Sequence, residues 1–330
     1  MSHSDEAVDV ATTSPVPEYV VETSINQWLL IDANRWVVAG LFSTTVFVVF
    51  FVLTWMGVIG ITAAGPAPLL LSVFIAGNLT LVPITITINQ LVLSREFGKP
   101  HDLNERDEGV RDLRRNLKDL ADVSAIQPTP IAFLRVLVET IEESGESVSE
   151  VVSATDDEEL QRRAEVVRKQ LATNTDRMHS ALEDAEFGSF ELLSAMLRVN
   201  SAWLIGAAEH LQHEEFEPMP AEPFDRLEKT LRMFNVSRQY TKTLYVQREI
   251  AALSRLLLYV GFVAVGSSAV AMLVYDASIR PPVSETMLQV AFSLLCAVAF
   301  APLAFLLSYT LRLSTIVSYP PVRNSFITDG

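Results

Sequence analysis

Cysteine is almost absent. Cys296 is the single one in 330 residues, and it lies in an apolar run, so no disulfide can form within the chain and nothing requires an oxidising compartment. Lysine is scarce as well: Lys99, Lys118, Lys169, Lys229 and Lys242 are all there are, and arginine supplies the other basic residues. Basic residues together number 25 against 40 acidic ones, for a formal net charge of −15. That balance excludes nucleic acid as the main partner, because phosphate binding needs a clustered positive field. Glycine is sparse, at 13 residues, and the glycine-built phosphate loops are missing. There is no Gly-x-Ser-x-Gly elbow, and one cysteine at apolar depth is a poor candidate for thiol catalysis. The expectation is therefore a protein that is not an enzyme and carries no cofactor.

Charge is missing over long stretches. None occurs between Arg35 and Arg95, from Leu256 to Tyr275, or from 286 to 311. Mean hydropathy is +0.28 in spite of the acidic excess. The two facts agree if the apolar residues form membrane spans, since a helix needs roughly 20 residues to cross the hydrocarbon core. Gly60, Gly65, Pro66 and Pro68 divide the first run. Four spans follow, at about 36–59, 69–93, 256–275 and 286–311. Trp36, Trp55, Tyr259, Tyr275 and Tyr309 stand near their ends, where aromatic rings favour the headgroup level.

Basic residues set the expected orientation. They cluster after the second span (Arg95 to Lys118) and before the third (Arg232 to Arg255). Arg35 and Arg312 flank the outer ends. The loop at 60–67 has no charge, and the loop at 276–285 has one arginine. Both termini and the central segment are thus expected on the cytoplasmic side of a cell membrane. Residues 1–35 read as a disordered acidic tail without a signal peptide, and 313–330 as a C-terminal tail.

Residues 95–250 read as a cytoplasmic helical domain. One helix opens at Asn104. A second follows Pro128 and Pro130 and is expected to end at Gly145. A third is capped by Thr155, and a fourth runs from about Phe190 to His213. In the third, Leu160, Ala164, Val167, Leu171, Asn174, Met178, Ala181 and Ala185 recur in alternating steps of four and three. That is the spacing of a coiled-coil seam, in which Asn174 would fix register or oligomer state. An antiparallel bundle within one chain uses the same spacing. After Pro218, Pro220 and Pro223, a seam from Phe224 to Tyr245 meets no breaker before the third span. The fold class expected is all-α: two spans, a helical bundle or coiled-coil-like domain, and two more spans.

Candidate sites are few. Asn78, Thr85 and Asn89 lie at i, i+7 and i+11 on the second span, around Pro83. Amides there need partners or water, so they either line an aqueous path or bond neighbouring helices. Pro83 would free the carbonyl of residue 79. His210 and His213, three apart beside Glu209, Glu214 and Glu215, could share a metal, or simply be solvated. Arg238, Lys242, Arg248 and Arg255 could meet anionic lipid headgroups. The expected partners are the bilayer, further copies of the chain and a cytoplasmic protein.

The layout of two spans, a helical domain and two spans resembles bestrophin-type anion channels. Leu81-Val82-Pro83-Ile84-Thr85 looks like the proline-containing run of the pore helix in animal bestrophins. The resemblance implies a passive ion channel lined by the second span. Ile86 and Gln90 stand where that family has an aromatic constriction, and Arg312 to Gly330 holds one acidic residue, Asp329, where the family has an acidic cluster.

An acidic, lysine-poor surface suits high salt, where screening shortens from ~10 Å at 0.1 M to ~3 Å at 1 M, and points to a halophilic source. The helical domain should gain thermal stability steadily from dilute buffer to molar salt, followed by circular dichroism. Equal melting temperatures in both would remove the inference.

Overall fold

The computed structural model describes residues 35–60, 66–96, 100–184, 186–213, 219–276 and 284–318. Every regular element among them is a helix: α1 (Arg35–Trp55), α2 (Ala67–Glu96), α3 (Pro100–Leu120), α4 (Pro130–Ser153), α5 (Glu158–Asp184), α6 (Phe190–Arg198), α7 (Ser201–His213), α8 (Ala221–Asp276) and α9 (Glu285–Ser318). Four of them, α1, α2, α8 and α9, are long and apolar enough to cross a membrane. The chain divides into two compact units, one from the described parts of Gly98–Tyr245, the other from those of Tyr19–Phe97 and Val246–Ser318. The N-terminal tail expected from the sequence lies outside the described residues up to 34, and the C-terminal tail outside them from 319 onward.

In the first unit, side-chain caps set the helix starts, and several differ from expectation. Pro100 opens α3, four residues before Asn104, since a proline at the first helical position loses no hydrogen bond. The α4 cap is Thr129, whose side chain accepts from the Ala132 amide at 3.2 Å, with Pro130 next in the chain. Asp157, not Thr155, caps α5: its Oδ1 accepts from the amides of Glu159 and Leu160 at 2.9 and 3.1 Å, while Thr155 donates back to Val152. The expected Phe190–His213 helix is two helices. Val199 leaves α6 in an extended conformation, and Asn200 Oδ1 accepts from the Trp203 amide to start α7.

Gly145 does not end α4, which continues to Ser153. Its role is packing. A Cβ at Gly145 would stand 2.6 Å from Leu171 Cδ1 of α5, so the glycine lets the two helices close up. Leu134, Leu137, Val138 and Ile141 of α4 join Leu160, Ala164, Val167, Leu171 and Met178 of α5 in one core with residues of α6, α7 and α8. The heptad seam of α5 is therefore spent within the chain. Toward its C-terminal end Leu182 is buried in place of Ala181, which is the drift expected of a straight helix against a strict seven-residue repeat.

In the second unit, α1 and α9 run antiparallel. Gln289 Nε2 of α9 donates to the Thr54 carbonyl near one end, and Ser308 Oγ donates to the Arg35 carbonyl at the other. Between them Phe50, Phe74, Phe292 and Phe300 cluster, with Phe74 and Phe300 edge to face at 5.1 Å. α1 stops at Trp55, short of the expected 59. Gly57, at φ +72°, turns the chain, its amide bonding to Thr54 and that of Val58 to Leu53. That is a Schellman closure, in which glycine takes the left-handed position. α9 passes Arg312 to reach Ser318, with Ile316 buried. α8 is one uninterrupted helix of 56 residues, as the absence of a breaker predicts. Its charge-free part exposes Tyr259, Phe262 and Leu273.

The contact of Gly145 with Leu171 is testable. Gly145→Ala should destabilise the first unit by about 1–3 kcal/mol through overpacking. In a Leu171→Ala background the added methyl should cost much less, because neighbours in contact couple. Additive effects in thermal or denaturant unfolding would refute the close approach.

Candidate functional site

The densest polar arrangement among the apolar helices joins α1, α8 and α9. Arg35, at the first turn of α1, faces Glu249 of α8 and forms a two-pronged ion pair, with Nη2 donating to Oε1 at 2.7 Å and Nη1 meeting Oε2. Both side chains are largely covered, at 21% and 11% exposure. The Arg35 guanidinium also lies over the Tyr309 ring of α9, 4.8 Å from its centroid, and Trp36 meets Phe305 edge to face at 5.0 Å. Leu253, Leu257 and Tyr309 pack together beside it. Glu249 is the one acidic residue in 229–255, among the basic residues that precede the charge-free run. Two charges leaving water together must be neutralised and hydrogen-bonded, and the fork of arginine does both.

A second polar contact lies on α2. Asn78 is 8% exposed. Its Nδ2 donates to the Phe74 carbonyl at 2.9 Å and to the Ala299 carbonyl of α9 at 3.0 Å. Thr85 is buried too. The Asn89 side chain, third in the expected stripe, lies outside the described residues. α2 continues through Pro83, which is exposed, as are Thr80, Thr87 and Gln90. Thr80 and Thr87 donate to carbonyls of their own helix, those of Gly77 and Pro83.

The remaining sequence candidates scatter. His210 is exposed, and the side chain of His213 lies outside the described residues. Among the described residues no three of His, Cys, Asp and Glu come together as metal ligands would. His179 instead meets Glu142 of α4 at 3.3 Å. Arg238 donates to the Val199 carbonyl at 2.9 Å, closing the end of α6, and its burial lowers its pKa. Burial, and then Arg238, lower that of Lys242. Arg238 thus serves the interior of the helical unit, whereas Arg248 and Arg255 are exposed. Asn174 is buried at 4% exposure, facing its own chain's core.

Sequence reasoning passed over the partnership at Arg35. Arg35 and Tyr309 stood out separately, as a topology marker and an interface ring. The usable signal was a single carboxylate among the basic residues that precede a charge-free run.

These features define an all-helical protein with four potential membrane helices, tied by an ion pair and an interhelical amide. Over residues 1–320 the chain matches a family of unknown function, DUF7972, and belongs to it. No curated protein and no solved structure matches it.

Glu249→Gln should destabilise the second unit by about 1.5–3 kcal/mol, the range for a hydrogen bond to a charged group. Pairing it with Arg35→Gln should recover part of that loss. A double-mutant cycle on thermal unfolding in detergent reads the coupling. A coupling of zero would mean the pair contributes nothing.

Proposed function

We propose that the chain is a multi-pass protein of the cell membrane, with both termini and the α3–α7 unit on the cytoplasmic side, that assembles as a homo-oligomer and uses its cytoplasmic helices for assembly or signalling. The observation that carries this reading is the bond from Asn78 to the Ala299 carbonyl. An amide in a bilayer that donates to a neighbouring helix holds the bundle together instead of wetting a path. The basic residues flanking the four apolar helices support the orientation. No span carries an internal charge, which speaks against a pump. The exposed apolar residues of α1, α2 and α8 suit lipid or a second copy. A cytoplasmic protein partner belongs to the same reading, on the acidic helical surface.

A passive ion channel is the second reading. One observation favours it: Thr80, Thr87 and Gln90 are exposed uncharged polar residues on one stripe of α2, with the exposed Pro83 between them. A lipid-facing Gln90 amide would lack a partner, so this face would line water where several copies meet. It replaces Asn78 and Thr85, which are buried, as the candidate lining.

Topology and flux separate the claims. With Cys296 buried, membrane-impermeant thiol reagents applied to intact cells should reach Ala64→Cys and Ser278→Cys but not Ser153→Cys; labelling at 153 would invert the topology. In reconstituted vesicles the scaffold reading predicts no ion flux above protein-free controls, and a less stable packing of α2 on α9 within the chain in Asn78→Leu, by roughly 0.6 kcal/mol per lost bond. Ion flux that falls when Thr80, Thr87 and Gln90 become leucine would replace the scaffold with a pore.

A further inference from the structure

Arg255 is the last charge of α8 before its apolar run. It lies six residues past Glu249, about 9 Å farther along the helix at the usual rise per residue. The ion pair of Glu249 with Arg35 marks the start of α1, so Arg255 stands beyond the level at which α1 and α9 carry charge. Leu253 and Leu257, two residues to either side of it, pack with Tyr309 of α9 against Phe305 and Leu306, which lie in the charge-free run from 286 to 311. The Arg255 side chain is exposed. It shares its face of α8 with Tyr259, 71% exposed, and Phe262, 82% exposed, four and seven residues on. Its neighbours one turn away are Ala251, Ala252, Leu258 and Tyr259. Among the described residues none forms a hydrogen bond or ion pair with it.

A guanidinium at apolar depth is costly unless it bends toward the headgroups and meets an anion there. We propose that Arg255 binds the phosphate of a membrane phospholipid, with Tyr259 at the headgroup border and the acyl chains along Phe262. The site rests on the reading that the apolar part of α8 spans the bilayer. Along one helix face the order is cation, phenol, phenyl, which is the order of preferred environments from headgroup to hydrocarbon. The planar fork of arginine suits two phosphate oxygens at once. Arg248, exposed and seven residues before Arg255 on the same face, adds positive field on the headgroup side. A second copy is the poorer occupant, because its Glu249 is spent on its own Arg35. A free phosphate would have no chain to lay along Phe262.

The test places the full chain, with nitrogen-15 in its arginine guanidinium groups, in phosphatidylglycerol bilayers. Solid-state dephasing of nitrogen-15 by phosphorus-31 reads which guanidinium groups touch phosphate. One component of the wild-type dephasing should be lost in Arg255→Gln and equally in Arg255→Lys, which removes the labelled fork but keeps the charge. A spin label on Phe262→Cys, with Cys296 buried, checks the membrane helix independently: dissolved oxygen should relax it and water-soluble nickel should not. Dephasing unchanged by either substitution, with the label still reached by oxygen alone, would overturn the phosphate site and leave the membrane helix standing. A label relaxed by nickel would overturn both. Unchanged dephasing with spin–spin broadening at 262 would put a second copy where the lipid is proposed.

Discussion

The ion pair of Arg35 with Glu249 is the contact on which the apolar helices depend. Arg35 is the first residue of α1, where a charge-free run begins, and Glu249 lies on α8 among the charges that precede its apolar part. Paired in a fork, largely covered and capped by the Tyr309 ring, they let α1, α8 and α9 close together. Such a pair contributes less net stability than its Coulomb energy suggests, because desolvation opposes it, but removing one partner leaves a buried charge uncompensated. Its consequence is therefore placement: it fixes which face of α8 meets α1 and α9.

The same economy of polar groups runs through both units. In the apolar unit, hydroxyls of Thr45, Thr54, Thr80 and Thr87 donate to carbonyls one turn back on their own helices, and Asn78 of α2 reaches across to α9. In the helical unit, Arg114 donates to the Ile126 and Gln127 carbonyls and Arg226 to that of Leu120. Arginine here reaches carbonyls at the end of α3 and in the loop that follows it. That explains part of the arginine bias in structural terms, beside the halophilic reading.

What was legible in the sequence followed from averages over many residues. Charge-free runs of span length located α1, α2, α9 and the apolar end of α8, and an unbroken pattern from Phe224 onward implied one helix passing into the third run. The i, i+3, i+4 spacing found the buried face of α5. What was not legible rested on single contacts between distant residues. Gly145 reads as a helix stop until Leu171 is seen lying against it. Thr155 and Asp157 are equally good caps by type, and only the turn geometry selects Asp157. Asn78 and Thr80 are two residues apart, and which of them faces inward depends on the position of α9, which local periodicity does not encode. The ion pair of Arg35 with Glu249 spans 214 positions, and no local pattern joins them.

The central claim is that the Asn78 amide and the charges of Arg35 and Glu249 are satisfied inside one chain. A structure of the protein in lipid nanodiscs, at a resolution that places side-chain amides, tests it most directly. The account predicts Asn78 within hydrogen-bond distance of the Ala299 carbonyl of the same chain, with Glu249 paired to Arg35. Asn78 and Thr85 facing a water-filled axis shared by several copies would contradict it.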